Sequence, residues 1–328
     1  MTGSPKRILL TGCAGFIGWK VTELLLADGH AVVGVDNLNA AYDPRLKQWR
    51  LGQLSGRPGF EFHQTDIADR RALDETVGQP AFDAVINLAA RAGVRQSVAD
   101  PWSYIDTNVT GTLNLLQFAR QRSIPKFVLA STSSLYGALN PRPFLEDADT
   151  DHPLSPYAAS KKGAEVLSFT YHYLYGLDVT VLRYFTVYGP AGRPDMSIFR
   201  FIQWISEGRP VIVYGDGSME RDFTFVEDIA RGTVAALRPM GYEIINLGSD
   251  HPVRVADAIA QIESLIGASA RIEFREAHPA DVAATWASIG KAGRLLGWTP
   301  RTSFTDGVHH AVQWYRANRA WAKDVQTT

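Results

Sequence analysis

The sequence predicts an α/β fold: a doubly wound parallel sheet followed by a smaller C-terminal α/β domain. Two observations predict it. In the first half of the chain, short apolar runs alternate with longer amphipathic stretches, which is the pattern of a parallel sheet covered by helices on both faces. After residue 188, glycine, proline and arginine become frequent and the periodic segments become shorter. This change indicates a second, less regular unit.

The predicted strands are short, apolar and often β-branched, as expected for strands buried on both faces. They cover residues 8–10, 31–35, 60–63, 84–88, 127–130 and 179–182. The stretches between them carry an apolar face at helical spacing. They cover residues 16–27, 44–54, 72–77, 104–120 and 157–175. Later in the chain, a strand end with a helix (223–237) and a buried strand (244–247) could each return to the first sheet.

Composition excludes several classes of function. The 328 residues carry a formal net charge of −1, so no basic surface favours nucleic acid or an anionic membrane. No apolar run approaches the roughly 20 residues that span a bilayer, and the polar start at residues 1–7 predicts no signal peptide. The single cysteine, Cys13, suits a reducing compartment, so we expect a cytoplasmic protein in which this side chain is a small packed residue. No metal site is predicted.

Three glycines at the first strand–helix junction form the strongest local signal. Gly12, Gly15 and Gly18 are spaced as in loops that bind dinucleotides. The first permits a tight turn, the second lets the backbone approach a pyrophosphate, and the third lets the helix pack closely on the sheet. The phosphates then lie on free N–H groups at the helix start, beside Phe16 and Ile17. This predicts a Rossmann domain; a glycine-rich turn without a ligand is the alternative.

Acidic residues after the second and third strands refine the choice of cofactor. Asp36 ends the second strand, where a carboxylate accepts hydrogen bonds from ribose hydroxyls and repels a 2′-phosphate. Asn37 follows it, and the next arginine in the chain is Arg45, so NAD is favoured over NADP. Asp66, followed by Ile67, is a candidate for the adenine region, although a helix cap would also explain Asp66.

A tyrosine and a lysine one helical turn apart are the candidate reacting groups. Ser155 and Pro156 predict a helix start, which places Tyr157 and Lys161 on one face. The pKa of a free phenol is about 10, and it must fall by about 3, or about 4 kcal/mol, for the group to act as a base near neutrality. Each positive charge about 6 Å away supplies roughly 3 kcal/mol at an effective dielectric constant of about 20. Lys161 and the positive nicotinamide ring therefore suffice together; an ordinary surface pair is the alternative.

Hydroxyl groups follow the fifth predicted strand, at the edge where open α/β sheets bind ligands. Thr132 can bridge a sugar oxygen and the phenol of Tyr157, and Ser133 and Ser134 are two further donors. Capping of the local backbone is the alternative for each of these hydroxyls. Together with the glycine loop and the Tyr/Lys pair, the cluster predicts redox chemistry at a carbinol carbon.

These motifs resemble the extended short-chain dehydrogenase/reductase family, in its nucleotide-sugar-modifying branch. The resemblance covers nearly the whole chain and includes residues 87–90, 108–112, 183–185, 187–190, 221–223 and 281–282. It implies that Arg221 contacts the nucleotide diphosphate and that Asp281, preceded by Ala280 where glycine is usual, lies near the uridine. It also implies a homodimer through the helices at 104–120 and 157–175. The NAD contacts that it adds to those above are Leu88, Ala89, Ala90, Asn108, Lys161 and Tyr184.

Within this branch the chain is most similar to UDP-glucuronate 4-epimerases. The similarity lies in residues 36–47, 92–97 and 185–196. The last segment resembles a loop that binds the substrate carboxylate, which implies Thr186 and Arg193 as its ligands, assisted by Ser133 and Ser134. In 4-epimerases of neutral UDP-hexoses an asparagine commonly stands where Thr186 is. Further candidates for substrate contacts are Arg95 and Met196.

The two residues after Thr132 separate epimerases from related enzymes. By resemblance, sugar 4,6-dehydratases have Asp-Glu there and UDP-glucuronate decarboxylases have Ser-Glu, which are acids that would move protons. This chain has Ser133 and Ser134, so the resemblance implies NAD-dependent 4-epimerisation of UDP-glucuronate to UDP-galacturonate. A UDP-glucuronate decarboxylase and a 4-epimerase of a neutral UDP-hexose are the alternatives. We expect residues 1–188, with returns around 223–248, to bind NAD and residues 189–328 mainly to bind the nucleotide sugar.

Overall fold

The computed structural model describes residues 4–78 and 81–327, so residues 1–3 of the polar start lie outside the described residues. The strands are β1 (Arg7–Thr11), β2 (Ala31–Asp36), β3 (Phe60–Gln64), β4 (Ala84–Asn87), β5 (Lys126–Thr132), β6 (Asp178–Tyr184), β7 (Thr186–Tyr188), β8 (Pro210–Tyr214), β9 (Glu220–Phe225), β10 (Tyr242–Leu247), β11 (Pro252–Arg254) and β12 (Arg271–Arg275). The helices are α1 (Phe16–Ala27), α2 (Arg45–Leu54), α3 (Arg70–Val77), α4 (Val94–Ala99), α5 (Pro101–Tyr104), α6 (Gly111–Gln121), α7 (Pro156–Tyr175), α8 (Ser197–Ser206), α9 (Val226–Ala235), α10 (Val255–Ile266), α11 (Gly290–Leu296) and α12 (Phe304–Ala322).

Within the described ranges, seven parallel strands form the central sheet in the order β10-β6-β5-β4-β1-β2-β3. Successive side chains of a strand point to opposite faces. Leu9 is fully buried in a hydrophobic cluster with Leu115 of α6, whereas Leu10 is fully buried on the other face with Val21 of α1 and Ile229 of α9. Helices therefore cover both faces, which confirms the predicted doubly wound α/β sheet.

The strand order reverses beside β1. From β1 the chain adds β2 and β3 on one side and then crosses to β4 on the other. In the second half of the chain, β10 returns to pair in parallel with β6 and completes the sheet. Open α/β sheets bind ligands at such a reversal, beyond the carboxyl ends of the strands. The ends of β1, β2, β4 and β5 therefore position the site.

Most of the second half forms a smaller unit. It contains a sheet of β11, β9 and β7 and a pair formed by β12 and β8. Helices α8, α10 and α12 share one hydrophobic cluster, which includes Ile202, Ile259 and Val312. Helix α9 and β10 pack with the first sheet instead, in the region where the sequence allowed a return to that sheet. The assignment of NAD to residues 1–188 with these returns, and of the nucleotide sugar mainly to residues 189–328, stays a prediction.

The predicted helical stretch over residues 104–120 is helical throughout, but it is not a single regular α-helix. A π-helical segment, Ile105–Thr110, lies between α5 and α6. The Asn108 side chain bonds the backbone N–H and carbonyl of Arg91 at 2.9 Å each, and the Thr112 hydroxyl donates to the Asn108 carbonyl oxygen at 2.7 Å. These bonds stabilise a wider turn that apolar periodicity does not encode. Among the described residues, no helix has both the length and the apolar character needed to cross a membrane.

Candidate active site

A cavity of about 470 Å³ lies along the carboxyl edge of the central sheet and extends to the smaller unit. It brings together nearly all of the residues that the sequence singles out. Those that line it are Gly12, Gly15, Phe16, Ile17, Gly18, Asp36, Asn37, Asp66, Ile67, Leu88, Ala89, Ala90, Arg95, Thr132, Ser133, Ser134, Tyr157, Lys161, Tyr184, Thr186, Arg193, Met196, Arg221 and Asp281.

Asn108 is the predicted site residue that does not line this cavity. It is buried, and in addition to its two bonds with Arg91 it donates to the Ser160 hydroxyl of α7 at 2.9 Å. Its side-chain amide is therefore occupied in holding the loop after β4 against α7. The predicted contact between Asn108 and the cofactor stays a prediction, and the structure gives this residue a supporting position.

The glycine loop has no space for a side chain at Gly12 or at Gly18. Gly12 has φ +75°, and a Cβ added to it would lie 2.7 Å from the Ala89 nitrogen. A Cβ added to Gly18 would overlap the Gly12 carbonyl oxygen. Helix α1 begins without a side-chain cap, so no side chain of the described residues caps its first N–H groups. A pyrophosphate fits this combination of a bare loop and an uncapped helix start.

The end of β2 adds polar groups to the cofactor side of the cavity. Asp36 is buried and accepts a hydrogen bond from the Leu38 N–H at 2.8 Å. Asn37 donates to the Asp66 carboxylate at 2.8 Å, so Asp66 belongs to this wall of the cavity. The α3 cap is Asp69 instead, which accepts from Ala72. The carboxylate of Asp36 fits the ribose of an NAD molecule whose pyrophosphate lies on the glycine loop.

Cys13 packs beneath the glycine loop as expected. Its side chain is fully buried, and burial raises the pKa of the thiol well above its ordinary value. A Cβ added to Gly34 of β2 would lie 2.8 Å from the Cys13 sulfur, so the two residues fit closely. The thiol is inert in this position because the thiolate is the reactive form.

The candidate reacting groups converge on the end of β5. Ser155 caps α7 by accepting from the Ala158 N–H at 3.2 Å, and Pro156 is the first helical residue, which confirms the predicted helix start. Burial raises the pKa of Tyr157, while a hydrogen bond with Thr132 and the charge of Arg193 lower it. The Lys161 ammonium donates to the Ala130 carbonyl oxygen at 2.9 Å.

Burial lowers the pKa of Lys161 to about 8, and Glu165, one turn later, opposes that shift. The positive charge of Arg193 also lowers the pKa of Tyr157, a contribution that the sequence did not predict. The expected contribution of Lys161 to Tyr157 stays a prediction.

Three arginines gather at the far end of the cavity. Arg95 pairs with Asp281 at 2.6 Å, and its guanidinium lies 3.6 Å from the centre of the Tyr214 ring. Burial lowers the pKa of Arg200 and of Arg221, and nearby Arg95 lowers both further. Three cations beside one paired carboxylate leave positive charge without compensation, which suits an anionic group such as a diphosphate.

Two residues of this end escaped the sequence reasoning. Arg200 is the single charged residue in an apolar helix, α8, and its Nε is buried without a hydrogen-bond partner among the described residues. An isolated charge inside an apolar run was the signal that could have identified it. Tyr214 lies in β8 and carries no comparable signal, because its role depends on contact with Arg95, more than a hundred residues earlier.

Lys47 is a third missed residue, on the cofactor side. Its ammonium is buried, lies 3.4 Å from Asp36 Oδ1 and donates to Asn39 Oδ1 at 3.2 Å. A buried lysine facing inward from a helix is unusual. Its position in α2, eleven residues after Asp36, gives no sequence motif that would have predicted the pair.

Comparison with known proteins agrees with this geometry. The family model described as GDP-mannose 4,6 dehydratase matches residues 9–311. A UDP-glucuronate 4-epimerase of Thermodesulfobacterium geofontis is 55% identical over 97% of this chain and 98% of its own length. The solved UDP-glucuronic acid 4-epimerase of Bacillus cereus, in complex with UDP-glucuronic acid and NAD, is 36% identical, with a TM-score of 0.88 over 95% of this chain and 99% of that chain.

A UDP-glucose 4-epimerase of Thermotoga maritima, solved with UDP-glucose, is 30% identical and has a TM-score of 0.89 over 95% of this chain and 99% of that chain. The backbone therefore resembles enzymes of charged and of neutral sugars equally well. The side chains around the sugar have to distinguish the two.

Proposed function

The chain belongs to the GDP-mannose 4,6-dehydratase family of extended short-chain dehydrogenases/reductases, and from this premise we propose that it is an NAD-dependent UDP-glucuronate 4-epimerase. The observation that carries the proposal is the set of side chains around Tyr157. Thr132, Ser133 and Ser134 supply hydroxyls, Arg193 supplies a cation, and neither residue after Thr132 is an acid. The identity with the Thermodesulfobacterium enzyme supports the same substrate.

The proposed mechanism needs one proton carrier. NAD held by the glycine loop and Asp36 would supply the hydride acceptor, and then the hydride donor, at C4 of the sugar. Tyr157 takes the proton of the 4-hydroxyl and later gives a proton back to the same oxygen. Thr132, whose hydroxyl lowers the pKa of Tyr157, would orient both oxygens. Because the sugar turns over between the two steps, no further acid or base is required.

The site also fits the substrate's two anionic groups. Arg200 and Arg221 are proposed to hold the diphosphate, with Arg95 and Asp281 toward the nucleoside. Arg193 and Thr186 are proposed to hold the carboxylate at C5. The 4-keto intermediate is a β-keto acid that loses CO2 if its C5–carboxylate bond aligns with the carbonyl π system. Charge-assisted hydrogen bonds would keep that bond out of alignment.

The decisive experiment is incubation of the purified protein with UDP-glucuronate, without added cofactor, followed by NMR of the products. We expect UDP-galacturonate, because NAD is regenerated in each turnover and can stay bound. A UDP-pentose as main product would favour the decarboxylase, and faster turnover of UDP-glucose in a parallel reaction would favour the neutral epimerase. Tyr157→Phe should lower kcat by roughly 10²–10⁴-fold; undiminished turnover would contradict the mechanism.

We also propose that the enzyme is a homodimer in the cytoplasm. Val166, Phe169 and Tyr173 form an exposed apolar stripe on α7, and Trp102 is exposed on α5, which contacts α7. A stripe at this spacing on one helix is expected to pack against a second copy. Light scattering should give twice the chain mass of 36.1 kDa. Tyr173→Glu should give the monomer mass, while Leu139→Glu, on an exposed loop, should not.

The same proposal assigns the two ligands, NAD and the nucleotide sugar, to different parts of the chain. Residues 1–188, with the returning α9 and β10, would hold NAD, and residues 189–328 would mainly hold the nucleotide sugar. The positions of the glycine loop and of Arg200 and Arg221 at opposite ends of the cavity support this division.

A further inference from the structure

The guanidinium of Arg193 is already largely engaged before any substrate arrives. Its Nε donates to Asp195 Oδ1 at 3.0 Å, and its Nη2 donates both to Asp195 Oδ2 at 2.6 Å and to the Ala92 carbonyl oxygen at 2.9 Å. The ring of Tyr42 lies beneath the guanidinium, 5.3 Å from ring centre to Cζ. Only Nη1 makes no hydrogen bond to a described residue, so it is the atom that Arg193 can offer to a ligand.

The backbone that carries Arg193 is fixed as well. Arg50 is fully buried and donates to the carbonyl oxygens of Ala191, at 2.8 and 3.1 Å, and of Gly192, at 3.1 Å. It also donates to Ala14 O at 3.2 Å in the glycine loop and to the Tyr42 hydroxyl at 2.7 Å. The loop before Arg193 is therefore tied to the cofactor loop, and the side chain has little freedom except through Asp195.

Asp195 changes the charge of the site as well as its geometry. The Arg193 and Asp195 side chains are 19% and 10% exposed, so the pair is poorly solvated. Burial alone would raise the pKa of Asp195, but Arg193 holds it below its ordinary value, so the carboxylate is ionised. The pair is neutral overall, and a substrate carboxylate meets it through directed hydrogen bonding rather than through a free positive charge. Displacing Asp195 would leave a buried charge unpaired, which is strongly unfavourable.

We propose that Asp195 is a positioning residue that fixes Arg193, so that Nη1 meets the C5 carboxylate of the 4-keto intermediate in one orientation and the intermediate returns as epimer rather than losing CO2. This inference rests on the proposed function. In this proposal Asp195 controls the ratio of the two products that form from one intermediate. Neither the cofactor loop nor Tyr157 determines that ratio.

Decarboxylation, the reaction that competes with epimerisation, needs no reactant other than a proton from water. In decarboxylation the C5–C6 bond breaks, CO2 leaves, and the bonding electron pair moves into the C4–C5 enolate. A proton from water then adds at C5 and restores the ketone, which is reduced at C4 as in the epimerisation. The net change is UDP-hexuronate plus one proton to UDP-pentose plus CO2, so the two products are counted directly by NMR.

The test compares Asp195→Ala, Asp195→Asn and Arg193→Leu with the wild type at low conversion. Asp195→Ala frees the guanidinium to rotate, and a misplacement of this kind can change a rate by about 100-fold. We expect its hexuronate-to-pentose ratio to fall about tenfold or more, toward the ratio of Arg193→Leu. Asp195→Asn keeps the size and one acceptor, so its ratio should fall less, by roughly threefold. KM for UDP-glucuronate should not rise in either Asp195 variant, because Arg193 regains its full charge.

The matched control removes another arginine–aspartate pair. Arg254 and Asp257 pair at 2.7 Å on the surface, and Asp257→Asn should leave the product ratio unchanged. If the Asp195 variants lose both products in parallel with an unchanged ratio, Asp195 is only structural and the proposal is overturned; Asp195→Asn, nearly isosteric, decides this even if Asp195→Ala does not fold. A wild-type protein that forms no UDP-galacturonate would instead overturn the proposed function itself.

Discussion

The two ends of the cavity differ in the groups that line them. The cofactor end is built mainly from backbone, namely a glycine loop, an uncapped helix start and the ends of β1, β2 and β4, all from the first 90 residues, with polar side chains such as Asp36 beside it. The substrate end consists of side chains from distant segments, such as Arg95 and Asp281, which are 186 positions apart. The first end should therefore fail when atoms are added, and the second when charges are removed.

The largest effect is expected from one added methyl group at the cofactor end. Gly18→Ala places a Cβ on the Gly12 carbonyl oxygen, so the loop must open and its N–H groups no longer converge on the pyrophosphate. We expect the purified variant to contain no NAD, measured by chromatography of nucleotide released with acid, and to have no epimerase activity without added cofactor.

The control for this change is the same substitution in open space. A Cβ at Gly52, in α2, meets nothing within 4 Å. Gly52→Ala should keep its NAD and gain about 0.5–1 kcal/mol of stability, because alanine favours a helix. A Gly18→Ala protein that retained its full complement of NAD would show that the loop is not the phosphate site.

At the substrate end, removing one charge should weaken binding without disturbing the cofactor. Hydrogen bonds to charged groups contribute about 1.5–3 kcal/mol, so Arg200→Met should raise KM for UDP-glucuronate about 10- to 100-fold. Bound NAD should be unchanged, and the unliganded protein should be no less stable, because burial and Arg95 disfavour the charge of Arg200.

Steady-state kinetics in parallel with cofactor analysis checks this prediction. Arg254→Met, which removes an exposed arginine, should leave KM unchanged. Loss of NAD from the Arg200 variant would mean that the two ends are not independent, and the comparison between them would fail.

The same difference explains what the sequence could predict. The glycine spacing, Asp36 and the Tyr157/Lys161 pair are local patterns whose chemistry depends on residues a few positions apart, and these predictions placed their residues in one cavity. Tyr214 and Lys47 act through partners, Arg95 and Asp36, that are too distant in the sequence to form a local pattern with them. Asp195 lies only two positions from its partner Arg193, but the sequence does not show that the two side chains form a buried ion pair. The π-helical turn at Asn108 escaped for a related reason, since its stabilising bonds reach Arg91 across a loop.

The smallest expected effect concerns Lys161, which lies where the two ends meet. Burial lowers its pKa from 10.5 to about 8. Between those values the unfolded chain keeps the proton that the folded chain has released, so this residue makes stability rise with pH in that window and costs most below about pH 8. Lys161→Met has no proton to lose. The unfolding free energy of the wild type relative to that variant, measured with urea on nucleotide-free protein, should rise by about 2 kcal/mol between pH 7.5 and 9.5. A constant difference would mean that the bond to Ala130 O holds the ammonium charged throughout, and that burial does not control this lysine.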